Sequence, residues 1–156
     1  MNSATQTAKH LRDVYFDGNW TASNFKKQLE DVDWKQATTQ IGSLNTIATL
    51  LFHSHYYVVA QLDVLRGNPL NAADHLSFDH PPITSHADWN TMKEKTWSDV
   101  EALASLIEQL PEEMMLKDFY DVKYGSYFRN LHGLIEHSHY HLGQIALLKK
   151  LVNEQH

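Results

Sequence analysis

The apolar residues of this chain recur mostly at three- and four-residue steps along four long stretches. This spacing is typical of amphipathic helices, whereas half-buried strands alternate apolar and polar residues. It predicts long helices over about residues 5–16, 44–65, 85–107 and 125–152. Shorter elements are expected in between: a helix over about 23–31, a turn over 34–37 and a short piece over 112–120.

Residues at the ends of these stretches support the boundaries. Ser43 is the predicted N-cap of the second long helix, and Gly67 follows its last turn. Ser85 is the predicted N-cap of the third, with Asp88 three residues later as in a capping box. Residues 67–84 lack periodicity and contain three prolines, so they are expected to form a long loop.

The four long helices, none of them apolar on all sides, predict an all-α four-helix bundle. The length of 156 residues suits a single domain over 1–156. A loop of about 18 residues can extend over roughly 60 Å, while the second helix is roughly 35 Å long. The loop can therefore cross the length of the bundle, and the predicted topology is up-down-down-up with a long crossover between the second and third long helices.

Charge and composition argue against several classes of protein. The chain has 13 Lys and Arg against 19 Asp and Glu, a formal charge of −6, and no basic run, which argues against nucleic-acid binding. Its longest apolar stretch, residues 47–64, is interrupted by two His, a Gln and an Asp, so no membrane span is expected. The polar residues after Met1 do not resemble a secretory signal. With no cysteine for disulfides or thiolate metal sites, a cytoplasmic location is expected.

The most unusual feature of the composition is its eleven histidines. His137 and His141 lie four residues apart in the last predicted helix, so both imidazoles project from one face and could reach one metal ion. In the metalloprotease pattern HExxH a glutamate follows the first histidine, whereas Glu136 precedes it here, so a protease is not indicated. His132 and His139 are expected to point outward. The alternative is one buried and one solvated histidine without a metal.

A third ligand could come from the second long helix, where either His53 or His55 could face the last helix. Helical periodicity slightly favours His55, which lies on the apolar arc, while His53 lies at its flank. A hydrogen-bonded core His55 together with a surface His53 would fit the same pattern. The spacing by itself leaves these choices open.

Two segments together resemble the DinB/YfiT-like superfamily of metalloenzymes. They are residues 45–53, NTIATLLFH, and residues 136–145, EHSHYHLGQI, supported by residues 18–21, GNWT, and by residues 124–125, YG. The resemblance extends over nearly the whole chain and is closest to small DinB-like bacterial proteins. It implies a four-helix bundle in which the second and fourth helices supply three metal-binding histidines. Carried over position by position, these are His53, His137 and His141, so the resemblance selects His53 over His55.

The resemblance also implies a range of chemistry. Three neutral imidazoles without a thiolate suit Zn, Ni or Fe(II) as the divalent metal, and they leave coordination positions open as in catalytic sites. The superfamily includes thiol S-transferases and a mycothiol-dependent isomerase, which implies thiol-dependent transfer or isomerisation of a small-molecule substrate; hydrolase chemistry is implied for other members. Because the chain has no cysteine, the thiol would be a low-molecular-weight cosubstrate. The alternative is a non-catalytic, stress-associated metal- or ligand-binding bundle, with His55 or Glu136 as a fourth ligand.

Several residues near these histidines could serve either packing or function. The tyrosines Tyr56, Tyr57 and Tyr140 either pack or orient a substrate. Gln144 either bonds a ligand histidine or is solvated. Mid-helix Gly143 is expected to permit the close approach of another backbone.

The remaining histidines and the tryptophans lead to expectations about exposure and about an interface. The three histidines around the long loop are expected to be exposed: His75, His80 and His86. The four tryptophans are expected in the core or at an interface: Trp20, Trp34, Trp89 and Trp97. Together with Phe78 in the loop and the frequency of two-fold dimers, they predict a homodimer whose interface leaves the metal pocket open.

Overall fold

The structure, a computed structural model, describes residues 1–155 and contains no β-strand in that range. It contains six α-helices there: α1 (Ser3–Tyr15), α2 (Phe25–Leu29), α3 (Trp34–Ala37), α4 (Ile47–Leu65), α5 (His86–Glu108) and α6 (Tyr127–Glu154). Short 3₁₀ turns at Asp74–Phe78, Glu112–Leu116 and Val122–Tyr124 lie in the connections. The predicted all-α class is therefore confirmed. Over this range, no helix combines the length and the apolar character needed to cross a membrane.

The start of α4 differs from the prediction. Ser43 is not its N-cap, because residues 41–44 form a turn in which Gly42 has φ +53°. Helix α4 begins at Ile47, and Thr46 is its N-cap, with the extended backbone typical of that position. The Thr46 hydroxyl accepts a hydrogen bond from the Thr49 N–H at 3.1 Å. A threonine three residues downstream therefore replaces the predicted serine.

The other long helices begin close to the predicted positions. Ser85 caps α5, and its hydroxyl accepts from the Asp88 N–H at 3.1 Å. Helix α6 is capped by Ser126 and begins two residues after the predicted start at Gly125. The predicted turn over residues 34–37 is a single turn of α-helix, α3.

Helices α1 and α4 each pack against both α5 and α6. Their apolar faces meet in one core, to which α2 and α3 also contribute. Each buried aliphatic side chain of this core contributes about 1.5–3 kcal/mol relative to its exposed state. Its largest fully buried side chains include Leu11, Tyr15, Phe25, Leu29, Leu51, Leu62, Trp89, Leu103 and Leu131. This is the neighbour order of a four-helix bundle, whereas the up-down-down-up direction stays a prediction.

The four tryptophans occupy different environments. Trp89 is fully buried, and its Nε1 donates to the Val32 carbonyl at 2.7 Å, which ties α5 to the segment before α3. Trp34 and Trp97 are partly buried at the edge of the core. Trp20 is fully exposed in the turns after α1, so of its two predicted roles only the interface role stays open.

The loop between α4 and α5 folds back onto α4. It is irregular over residues 67–84, as predicted, apart from the 3₁₀ turn Asp74–Phe78, which packs against α4. Ser77 in this turn is fully buried. The loop therefore places side chains next to His53 on α4.

Candidate metal centre

Helices α4 and α6 bring three histidines together. His137 and His141 lie one turn apart on α6, and their Nε2 atoms are 3.1 Å from each other. His53 projects from α4, and its Nε2 lies 3.0 Å from that of His137. Each of the three offers a ligand nitrogen, and these nitrogens all lie within 4.8 Å of one another. The residues selected by the family resemblance therefore form one cluster, hereafter the histidine cluster, that could hold a metal ion.

The hydrogen bonds of His53 determine which of its ring nitrogens faces the cluster as an acceptor. Its Nδ1 lies 2.8 Å from the Ser77 hydroxyl, which donates its single hydrogen to the Asp74 backbone carbonyl at 2.5 Å. The hydroxyl can therefore only accept from His53, so Nδ1 carries the proton. The lone pair of the neutral imidazole is consequently on Nε2, which points at His137.

His141 is arranged in the same way by a different partner. Its Nδ1 lies 2.7 Å from the side-chain oxygen Oε1 of Gln144, one turn further along α6. Because that oxygen can only accept, Nδ1 is the protonated nitrogen and Nε2 holds the lone pair. Gln144 thus bonds a ligand histidine, which was one of its two predicted roles. Hydrogen-bond partners of this kind orient metal-binding imidazoles in general.

The resulting arrangement fits a metal ion better than it fits three histidines alone. Tetrahedral Zn–N bonds of about 2.0–2.1 Å place ligand nitrogens roughly 3.3–3.4 Å apart, close to the 3.0 and 3.1 Å found here. The Nε2 lone pairs of His53 and His141 both face His137, which can donate its one hydrogen to only one of them. A cation at the centre of the cluster would satisfy all three nitrogens.

The remaining ring nitrogen of the cluster is Nδ1 of His137. It is buried and has no hydrogen-bond partner among the described residues. Two of the three imidazoles are therefore oriented by a protein partner, and the third is positioned by packing. One contact of this packing is the Tyr57 ring, which lies at 75° to the His137 ring with centroids 5.0 Å apart.

Burial keeps the histidines of the cluster neutral. His53 and His141 are 5% and 8% exposed, and His137 is half-buried. Burial first, and then the proximity of His141 and His53, lowers the pKa of His137 to about 4. Burial likewise lowers the pKa of His53 and that of His141. Neutral imidazoles are the form that binds metals, so no proton has to be removed at neutral pH.

The loop between α4 and α5 forms one wall of the cluster. The Phe78 ring stacks on His53, with centroids 4.2 Å apart and an angle of 15° between the rings. Tyr57 donates a hydrogen bond to the Asp74 carboxylate. Asp74, Ser77 and Phe78 at this site are not predicted from the sequence. The loop shows no periodicity from which its return onto α4 could be predicted.

His55 lies on a different side of α4. Its Nε2 is 2.7 Å from the carboxylate of Asp99 on α5, which also accepts from Lys95 at 2.7 Å. The weak preference of the helical periodicity for His55 as the ligand is therefore wrong. Glu136, the other candidate for a fourth ligand, is exposed. Among residues 1–155, no fourth His, Asp or Glu joins the three histidines.

The other histidines lie apart from this cluster. His132 and His139, predicted to point outward, are partly buried, because both lie beside residues of α1. The His132 Nε2 is 3.1 Å from the Thr7 hydroxyl, and its ring stacks on Phe128. His75 and His86 are exposed as predicted. His80 is only partly exposed, and its ring centroid lies 6.0 Å from that of Phe52.

Two further predictions near the cluster have mixed outcomes. Tyr140 is largely exposed, with its ring centroid 5.0 Å from that of His141, whereas the Tyr56 hydroxyl accepts from the Ala73 N–H at 2.8 Å and anchors the loop. The expected close approach of a backbone at Gly143 is wrong. Gly143 is exposed, and a Cβ added there would have no described atom of another helix or loop within 4 Å.

A cavity of about 410 Å³ adjoins the cluster on the side of His137. It lies between α4, the start of α6 and the 3₁₀ turn of the loop. Its lining residues are Tyr57, Gln61, Asp74, Arg129, Asn130, Gly133, Leu134 and His137. We refer to it below as the His137 cavity. A small molecule bound there would lie beside one ligand of the metal site.

Comparisons of the chain with protein-family models, with curated proteins and with solved structures find no match. The relationship to the DinB/YfiT-like superfamily therefore stays a prediction that rests on the two sequence segments. The metal site has separate support, because the spacing, burial and hydrogen bonds of the three histidines do not depend on that relationship.

Proposed function

We propose that this protein is a divalent-metal-dependent enzyme of the DinB/YfiT-like type that acts on a small molecule. His53, His137 and His141 bind the metal. The observation that carries this proposal is the convergence of three neutral Nε2 atoms, two of which have their lone pairs directed inward by Ser77 and Gln144. Structural metal sites are usually closed by four protein ligands, whereas catalytic sites keep a position open.

Zn, Ni or Fe(II) is the proposed metal, because three neutral imidazoles suit each of these ions. When bound, such an ion supplies Lewis acidity toward a thiol or a carbonyl oxygen of the substrate. The protein contributes the three ligands, their orientation and a pocket beside them. The lack of a fourth protein ligand among the described residues favours an enzyme over a closed, non-catalytic metal-binding bundle.

The His137 cavity is the proposed substrate pocket. The Tyr57 hydroxyl lies in its wall and is held by Asp74. Burial, followed by the hydrogen bond to Asp74, raises the pKa of Tyr57 to about 12. The hydroxyl therefore keeps its proton at neutral pH and orients a substrate as a neutral group. Phe78 covers one face of the His53 ring.

Thiol-dependent transfer or isomerisation is the proposed reaction, with metal-dependent hydrolysis as the second candidate. The thiol is a low-molecular-weight cosubstrate, since the chain has no cysteine. A cytoplasmic location, an up-down-down-up bundle and a homodimer belong to the same proposal. The exposed Trp20 lies outside the His137 cavity, so a dimer contact there would leave the substrate pocket accessible.

Metal analysis with matched variants tests the first step of this proposal. The purified protein is expected to hold about one divalent ion per chain, and His137→Ala is expected to lose it. His139→Ala, which removes a histidine on a neighbouring position of the same helix, is the control and is expected to keep it. Equal metal content in the two variants, or no binding of Zn²⁺, Ni²⁺ or Fe²⁺ by the wild-type protein, would contradict the proposal.

The reaction is tested with the metal-loaded protein. Low-molecular-weight thiols are offered together with an electrophilic acceptor, and loss of free thiol is followed over time. The expected result is turnover that disappears in His137→Ala and persists in His139→Ala. Hydrolysis of ester or amide substrates without any thiol would favour the second candidate, and no turnover of either kind would favour the non-catalytic bundle.

A further inference from the structure

The His137 cavity contains a positively charged side chain without a partner. Arg129 lies in its wall together with the metal-ligand candidate His137. Arg129 makes no salt bridge and donates no side-chain hydrogen bond to any residue in the range 1–155. By contrast, Arg12 contacts the carboxylates of Glu101 and Glu108 at 2.8 and 3.2 Å. None of the guanidinium donors of this cavity-lining arginine is therefore used by another described residue.

The position of Arg129 in the helix makes an unpaired cation unfavourable. It lies in the first turn of α6, and its backbone N–H donates to the cap residue Ser126. The N-terminus of a helix carries a partial positive charge and favours anions rather than cations. The first turn of α6 contains no acidic residue that would offset the charge of Arg129. A bound anion would relieve this repulsion and would gain from the helix dipole as well.

The backbone next to Arg129 is shaped around its side chain. Gly125 has φ +79°, and a Cβ added to it would lie 2.9 Å from Cδ of Arg129. The aliphatic stem of the arginine therefore lies against Gly125, where any other residue would displace it. Such a contact limits the freedom of the side chain and reduces the entropy lost when the guanidinium binds a ligand.

The charges of the cavity also favour an anionic ligand. Arg129 and Asp74 are the charged residues of its lining, and the Asp74 carboxylate already accepts from Tyr57. The three histidines are neutral ligands, so a divalent metal keeps its full charge. The loaded cavity is therefore net positive, and it selects negatively charged ligands.

We infer that Arg129 is a specificity-determining residue that binds an oxyanion of the substrate, a carboxylate or a phosphate, at the mouth of the His137 cavity. The planar guanidinium presents paired donors that match either group. The reacting group of the substrate then faces His137 and the metal. The substrate class is a small molecule that carries an anionic group apart from its reacting group. This inference rests on the proposed function, because it assigns the substrate of that site.

Anion binding to the full-length, metal-loaded protein tests the inference. Isothermal titration with succinate, with inorganic phosphate and with neutral succinamide is compared for wild type, Arg129→Gln and Arg129→Lys. Arg66→Gln, which removes an exposed arginine at the end of α4, is the matched control. We expect at least one anion to bind, and Arg129→Gln to weaken it about tenfold or more. Arg129→Lys should restore part of the affinity, and Arg66→Gln should match wild type.

Three results would overturn the inference. They are an anion affinity of Arg129→Gln within twofold of that of wild type, equal affinities of wild type for succinamide and succinate, and no binding of succinate or phosphate by wild type. A preference for succinate or for phosphate supports it and identifies the anion. Because Arg129 is exposed, all variants are expected to unfold at the same temperature as wild type. Repeating the titration without metal separates the two proposals. If the protein binds no metal, the proposed function is contradicted. Anion binding that still depends on Arg129 in the metal-free protein would then support the inference about Arg129 independently.

Discussion

His53 and His55 are two residues apart on the same helix, yet they have different surroundings. His53 contacts the loop through its Nδ1, which donates to the Ser77 hydroxyl, and faces α6 through its Nε2, which lies 3.0 Å from that of His137. His55 faces α5, where its Nε2 meets the carboxylate of Asp99. Each imidazole donates from one nitrogen to an oxygen and keeps a lone pair on the other. Only the free nitrogen of His53 lies beside two further histidines, whereas the His55–Asp99 contact ties two helices together. The difference shows that a histidine can act as a ligand only where its second ring nitrogen faces other ligand atoms.

The largest expected effect comes from removing the His53 imidazole. His53→Ala should lower the affinity for Zn²⁺ more than about 100-fold, since a lost ligand costs more than a lost outer partner. Competition with a chromophoric chelator measures the affinity. His55→Ala is the control, and it should retain the affinity of wild type. Comparable losses in both variants would mean that the two sides of α4 have been misassigned.

Removing the hydroxyl that orients His53 should have a smaller effect on the same affinity. Ser77→Ala leaves the Nδ1–H of His53 without its acceptor, and the expected loss of Zn²⁺ affinity is about 10–100-fold. The same chelator competition measures it. Ser98→Ala, on the exposed side of α5, is expected to have no effect. Unchanged affinity in Ser77→Ala would show that the loop does not orient the ligand.

On the other side of α4, the expected effect is on stability rather than on the metal. His55→Ala leaves the largely buried Asp99 with Lys95 as its remaining partner. We therefore expect the free energy of unfolding to fall by about 1–3 kcal/mol. Urea denaturation of the metal-free protein measures the change. A stability equal to that of wild type would show that the His55–Asp99 contact does not tie α4 to α5.

The last expected effect is a dependence of stability on pH in the metal-free protein. The pKa of His137 is about 4 in the folded state, below the ordinary value of 6.5. The unfolded chain therefore binds more protons between these values, so stability falls as the pH is lowered from 6.5 toward 4. Urea midpoints across this window should fall less steeply in His137→Gln. An identical slope in that variant would contradict the assignment of His137 as a neutral, half-buried imidazole.

Much of the fold could be predicted because it depends on local spacing. The apolar steps of the four long helices and the Ser85 cap follow from residues within a few positions of each other. The start of α4 could not be decided in this way. Ser43 and Thr46 are both good N-caps, and the turn at Gly42 excludes the first. Trp20 was predicted to lie in the core or at an interface, and its ring is exposed in the turns after α1, which contradicts the core role.

The sequence by itself determined the helical class, the pairing of His137 with His141 on one face and, through the family resemblance, the choice of His53. These depend on the helical period and on short motifs, which are local properties of the chain. Only the tertiary structure decided that Ser77 and Gln144 direct the lone pairs inward, that His55 contacts Asp99 on α5, and that Arg129 shares a cavity with His137. Contacts across the loop and between helices join residues far apart in the chain. Their partners depend on how the helices pack and not on sequence spacing.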